Sequence, residues 1–172
     1  MAADLSVARV TSSDLRRAMG HFASGVTVVT SLTADTAPAG TTASAVASLS
    51  LDPPLILVCL DRSSATLAAI HQHGAFVVNV LAAHQQHLSA NFARRGTDAN
   101  WEHVAYRRGG NGCPHLAGVL ATVACRADSY LPGGDHEIVV GRVTDIETAD
   151  HDPAPLLYWR GGYATLDKTQ SP

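Results

Sequence analysis

The chain has 172 residues, 46% of them hydrophobic and 16% charged, with a formal net charge of -3. That length suits one domain with a continuous core, and lysines and arginines scattered singly or in pairs exclude the basic stripe a nucleic-acid binder needs. The apolar surplus points to surface covered by a second copy, so a homodimer is expected.

In chain order, the segment 12–23, SSDLRRAMGHFA, predicts a helix: Ser12 or Ser13 can cap it, Leu15, Met19 and Phe22 recur at helical spacing, and Gly25 stops it. The β-branched run 26–33 predicts a strand. The turn cluster TADTAPAG then returns the chain as a second strand over 40–50, making a hairpin. After the prolines of LDPP, the run 55–60, LILVCL, has the pattern of a strand buried on both faces.

DRSSATLAAIHQHG predicts a short helix between Ser63 or Ser64 and Gly74, followed by the buried strand AFVVNVL and a helix over HQQHLSANFARR. Residues 97–115 are rich in Gly and Asn and predict a long irregular excursion. Two long strands, 118–130 and 136–147, are joined by LPGGD; LLYW and GYATL close the core, and 167–172 reads as a frayed tail. About six or seven strands in hairpins, with few short helices, predict a mainly β, antiparallel barrel in one domain of core 12–166.

Cys59, Cys113 and Cys125 lack CxxC spacing, so no disulfide framework or thiolate zinc site is expected and a cytoplasmic setting is. MAADLSVARV has no charged leader with an apolar core, and no run approaches the ~18 apolar residues of a membrane span, so neither secretion nor membrane association is expected. GxGxxG, GxxxxGK[ST] and GxSxG are absent, and Cys113 beside His115 in a loop is a poor nucleophile–base pair. His71 with His73, and His84 with His87, give no convergent ligand set, so no metal is expected.

The stretch GTTASAVASLS differs in kind. Thr41, Thr42, Ser44, Ser48 and Ser50 are interleaved with small apolar residues that let a flat ring approach the backbone. Beyond LILVCL, Asp61, Arg62, Ser63, Ser64 and Thr66 sit where a strand meets a helix N-terminus, a natural anion site. Plain strand-forming and capping roles explain the same residues equally well.

The ordered series SGVTVVT, GTTASAVASLSLDPPLILVCLDRSSAT, FVVNVL, NFARR, GGDHEIVVGRV and LLYWRGGY resembles the short-chain flavin reductase family over about 15–166. The resemblance implies an FMN-binding split barrel with Greek-key-like strands, homodimeric, that transfers a hydride from NADH or NADPH to FMN or FAD and supplies reduced flavin to a partner monooxygenase. It implies that Thr42, Ala43, Ser44 and Ala45 line the isoalloxazine, with Ser48 and Ser50 further along, and that Asp61, Ser63, Ser64 and Thr66 hold the phosphate. Phe92 matches an aromatic against the flavin, His136 is placed to meet the nicotinamide as the catalytic residue, and Tyr158 and Tyr163 match aromatics of the same cleft. Val46 stands where many members carry Phe. A flavin carrier without reductase activity, or a barrel for another flat cofactor such as haem, are the competing expectations.

Overall fold

The computed structural model describes residues 10–94, 99–150 and 153–166. The expected frayed tail, together with Arg95 and residues 97–98 of the expected excursion, lies outside the described residues.

The chain opens with helix α1 (Ser12–Met19) and strands β1 (Ser24–Gly25), β2 (Thr27–Leu32), β3 (Pro38–Ala43), β4 (Val46–Leu51) and β5 (Pro54–Asp61). Helix α2 (Ala65–His73), strand β6 (Ala75–Val80), a 3-10 turn (Ala83–Gln85) and helix α3 (Gln86–Phe92) follow. Short strands β7 (Tyr106–Arg108) and β8 (Pro114–Leu116) precede the long β9 (Ala121–Gly133) and β10 (His136–Thr148), and β11 (Leu157–Trp159) with β12 (Gly162–Ala164) ends the series.

Seven strands form one antiparallel sheet in the order β3-β2-β6-β9-β10-β5-β4, with β1-β11-β12 and β7-β8 as small satellites. The expected tally of strands is therefore low, because the additional strands span only two or three residues each and a period-2 pattern needs more positions than that to be read.

The segment 40–50, expected as one strand, is two strands on opposite edges of the sheet: β3 pairs with β2, and β4 pairs with β5. The break falls at Ser44 and Ala45. On one side Thr27 Oγ1 donates to Ala43 O at 2.7 Å, and on the other Cys59 N–H donates to Ala45 O at 2.9 Å. Two small residues thus carry the chain from β3 at one edge of the sheet to β4 at the other.

Strand β2 is buried at all six positions. Its alternation sends Val29 into a core with Val58, Leu60, Ile70, Phe76 and Val139, and Val28 into a second core with Leu81, Leu88, Phe92, Leu116 and Leu156. Each fully buried aliphatic or Phe of this kind contributes roughly 1.5–3 kcal/mol relative to exposure. LILVCL departs from its expectation: Val58 and Leu60 are buried, but Leu55, Ile56, Leu57 and Cys59 are only half-buried, because β5 lies next to the edge strand and its second face is uncovered.

α1 is capped by Thr11 in a reciprocal capping box with Asp14 rather than by Ser12 or Ser13. None of its residues is buried, and Leu15, Met19 and Phe22 remain 59%, 55% and 70% exposed. No helix among the described residues is long and apolar enough to cross a membrane.

Candidate functional site

A cleft of about 850 Å³ runs along β3 and the corner after it. One wall is Pro38 to Ala45; another is the turn Asp61 to Ser64 with the start of α2; Phe92, Arg94 and Trp101 close a third side, and His136 stands at the β10 end. The cleft brings together Thr42, Ala43, Ser44, Ala45, Asp61, Ser63, Ser64, Thr66, Phe92 and His136 of the residues singled out in the sequence. Ser48, Ser50, Tyr158 and Tyr163 do not line it. Ser48 and Ser50 lie on β4, past the corner, where the chain has already crossed to the far edge.

The turn after β5 is built by its own side chains. Asp61 Oδ1 accepts from Ser63 N–H at 2.8 Å and from Ser63 Oγ at 2.7 Å, and Ser64 caps α2 by accepting from Leu67 N–H at 3.4 Å. The N–H groups of Ala65 and Thr66, both lining the cleft, begin the helix without intrahelical acceptors. Such groups attract anions.

His136 pairs with Asp61 across the β10–β5 ladder, which is why a residue from a distant hairpin reaches this turn. Its Nδ1 lies 2.8 Å from Asp135 Oδ1, and that contact lowers the Asp135 carboxyl below its ordinary pKa. The ionised carboxylate can only accept, so Nδ1 carries the proton of this contact and Nε2 is the ring nitrogen left for another partner. Arg62 clamps the same hairpin: its N–H donates to Asp135 O at 3.1 Å and its Nε to His136 O at 3.3 Å.

Tyr163 reaches the cleft at one remove. Its hydroxyl donates to Ser89 Oγ at 2.9 Å, and Thr42 Oγ1 donates to Ser89 O at 2.8 Å, so α3 links this tyrosine to the cleft wall. Tyr158 packs edge-on against Tyr163 with ring centroids 5.6 Å apart.

Trp101, Arg94 and Cys59 line the cleft without having been singled out. Gly40 carried a readable signal for the first: a Cβ there would fall 2.8 Å from Phe92 Cε1 and 3.1 Å from Trp101 Cζ2, and a glycine inside a strand marks such a close approach. Val46 does not line the cleft and packs instead against the core that holds Val58. Burial pushes the Cys113 thiol up to about 11 and the Cys125 thiol up to about 12, so neither supplies a thiolate nucleophile near neutral pH. Among the described residues no three His, Cys, Asp or Glu side chains converge on a metal position.

The flavin reductase like domain matches residues 19–167. A Rhizobium meliloti (strain 1021) protein named "Probable flavin reductase" is 44% identical over 151 residues; the match covers 88% of this chain but only 48% of that protein, so the chain spans about half its length. The flavin reductase (NADH) of Kitasatospora aureofaciens is 39% identical over 174 residues, covering 98% and 89% of the two chains. The reductase subunit HsaB of a flavin-dependent monooxygenase from Rhodococcus jostii (strain RHA1) is 38% identical, covering 90% and 78%. Among solved structures, the Streptomyces globisporus C-1027 NADH:FAD oxidoreductase SgcE6 in complex with NAD and FAD fragments superposes with a TM-score of 0.86 at 30% identity, covering 95% and 100%. With the family's sequence pattern running through the whole seven-stranded sheet and its cleft, the chain belongs to the flavin reductase like domain family.

Proposed function

We propose that this protein is an NADH-dependent flavin reductase that reduces FMN or FAD and delivers the reduced flavin to a separate monooxygenase component. The carrying observation is the meeting, in one cleft, of the small-residue corner, the hydroxyl-rich start of α2 and His136. Relatives named as an NADH flavin reductase and as a monooxygenase reductase subunit support the reading.

The residues fit a flavin in kind. Ala43, Ser44 and Ala45 have side chains short enough for a flat ring to lie against the backbone, and the N–H groups at the start of α2 suit its phosphate. When bound, flavin supplies the hydride-accepting ring, and the nicotinamide of NADH supplies the hydride. The chain's own work is positional: β3 and the corner orient the ring, the α2 turn anchors the tail, and aromatic Phe92 and Trp101 exclude water from one side. His136, with Nδ1–H committed to Asp135, keeps Nε2 for a hydrogen bond to the nicotinamide carboxamide, which carries both a donor and an acceptor.

The crossing at Ser44 and Ala45 supports reading the sheet as the expected split barrel. The half-covered outer face of β5 and exposed apolar groups on β4 and α1 support a homodimer, and three free thiols support a reducing, cytoplasmic setting. Because Val46 packs into the core, its departure from the family pattern leaves the cleft wall unaltered and gives the non-reductase reading no footing. His136 is the only histidine among the described residues lining the cleft, and relatives named as flavin reductases support flavin over haem as its guest.

The test is steady-state NADH oxidation with FMN, FAD or riboflavin supplied, on wild type and His136→Ala. NADH consumption should require added flavin, and the variant should lose about tenfold or more in kcat/KM for NADH, a loss on the scale of one oriented hydrogen bond, with flavin affinity within about twofold. Absence of flavin-dependent NADH oxidation in the wild type would sink the proposal.

A further inference from the structure

We infer that His71 and Glu137 form a positioning pair that holds His136 at the cleft, acting from behind the strand that carries it. This deepens the reductase reading above and rests on it. His136 and Glu137 are the first two residues of β10, and successive side chains of a strand point to opposite faces. His136 lines the cleft, whereas Glu137 lies on the face of Val139, which shares a core with Leu67 and Ile70 of α2. The neighbour of the nicotinamide-facing histidine is thus turned toward the helix whose first residues line the same cleft.

The two elements are joined there. His71, in the last turn of α2, donates Nε2–H to Glu137 Oε1 at 2.6 Å, a carboxylate oxygen that can only accept. The imidazole plane is set by Tyr130 of β9, whose ring stacks on it with centroids 4.1 Å and planes 19° apart. Tyr130 is itself packed against the core that holds Ile70, opposite Val139 in the β9–β10 ladder. One helix residue therefore grips both strands of the hairpin.

The end of the hairpin needs such a grip. Gly133, Gly134 and Asp135 are exposed, and Gly134 turns the chain at φ 74°. Arg62 holds this tip from the β5 side, through Asp135 O and His136 O. Ladder hydrogen bonds run between strands, within the sheet, so displacement out of the sheet is resisted by contacts on its faces. His71 supplies one at Glu137, a single residue from His136. Its side chain is 45% exposed and that of Glu137 22%, and a pair so exposed adds little to global stability. Its effect belongs at the cleft rather than in unfolding.

The experiment measures kcat and KM for NADH, and for the flavin that supports turnover, in wild type, Glu137→Ala, Glu137→Gln and His71→Ala, and in His136→Ala with and without Glu137→Ala. Glu137→Ala and His71→Ala should each lower kcat/KM for NADH by about threefold or more, the scale of one partly exposed ion pair, with KM for flavin within about 1.5-fold of wild type. Glu137→Gln keeps an acceptor for His71 Nε2–H and should recover most of the loss. In the His136→Ala background, Glu137→Ala should cost less than about 1.5-fold further, since the pair acts through that histidine. Urea midpoints of the alanine variants should stay near wild type; should Glu137→Ala not fold, His71→Ala breaks the same contact from the helix side. Full additivity of Glu137→Ala with His136→Ala, an unaltered His71→Ala, or equal losses for NADH and flavin overturn the inference. If no added flavin supports NADH oxidation by wild type, the reductase reading itself fails, and this inference with it.

Discussion

His115 is sealed in the core at 2% exposure, with Nδ1 3.0 Å from Thr122 Oγ1 and Nε2 buried without a partner among the described residues. Gly109 backs the ring so closely that a Cβ there would meet Nε2 at 2.1 Å. Burial first, and the Arg107 charge second, hold its pKa below the ordinary histidine value. The unfolded chain therefore takes up a proton at higher pH than the folded one. Stability from this residue is intact above about pH 6.5 and is lost as pH falls from there through the depressed folded value. Urea midpoints measured at about pH 7.5 and about pH 5.5 should fall on acidification in wild type and fall less in His115→Gln; equal slopes would remove His115 from the account. In the sequence this residue was legible only as a neighbour of Cys113, since nothing local announces that a loop histidine will be buried. The cleft's hydroxyls were more legible, because Ser63 and Ser64 act within two residues of Asp61 and three of Leu67. Arg94 and Trp101 gain their meaning only from the wall across the cleft.

The β9–β10 hairpin carries His136 to the cleft and is the longest pairing in the sheet, with register shifts at Val140/Gly141 and Val143/Asp145. Gly141 sits where a Cβ would fall 2.5 Å from Phe76 Cζ and 2.9 Å from Cys125 Cβ, both residues fully buried. Gly141→Ala should cost about 1–3 kcal/mol as overpacking. Gly133→Ala, on the same hairpin with nothing nearer than 3.5 Å, should stay within about 0.5 kcal/mol. Denaturant unfolding of the two variants checks the contrast, and equal costs would mean that Phe76 yields freely. Elements of this length were legible from their apolar runs. The corner at Ser44 was not, because small-and-hydroxyl composition continues unbroken across it and the pairing that splits the strand is made with distant partners. The strands β7 and β8 have three residues each, too few to show a period, whereas β11 and β12 fall within LLYW and GYATL.

Over the whole molecule, α1, β4 and β11 each carry more than one exposed large apolar group. Leu49 and Leu51 on the edge strand β4 are 48% and 89% exposed, and Trp159 on β11 is 44% exposed near an uncovered α1, which is tied to that hairpin by Arg160 N–H on Gly20 O. An open sheet edge with leucines invites pairing or coverage. Light scattering on the purified protein should give a mass of twice 17.9 kDa; a monomer at micromolar concentration would contradict the homodimer. The antiparallel, mainly β class was legible because strand runs and turns alternate along the chain without intervening long helices. The sheet order was not, since β10 between β5 and β9 is a non-local choice. The two-residue seam between the edges has one further consequence. A guest lying on Ala43 to Ala45 and reaching the turn after β5 would act as a staple across the seam, so binding and closure of the sheet become one equilibrium. The Cys59 amide, whose bond to Ala45 O carries the β4–β5 ladder up to that seam, is then a single-site gauge of occupancy, and its hydrogen exchange should slow when the cleft is filled.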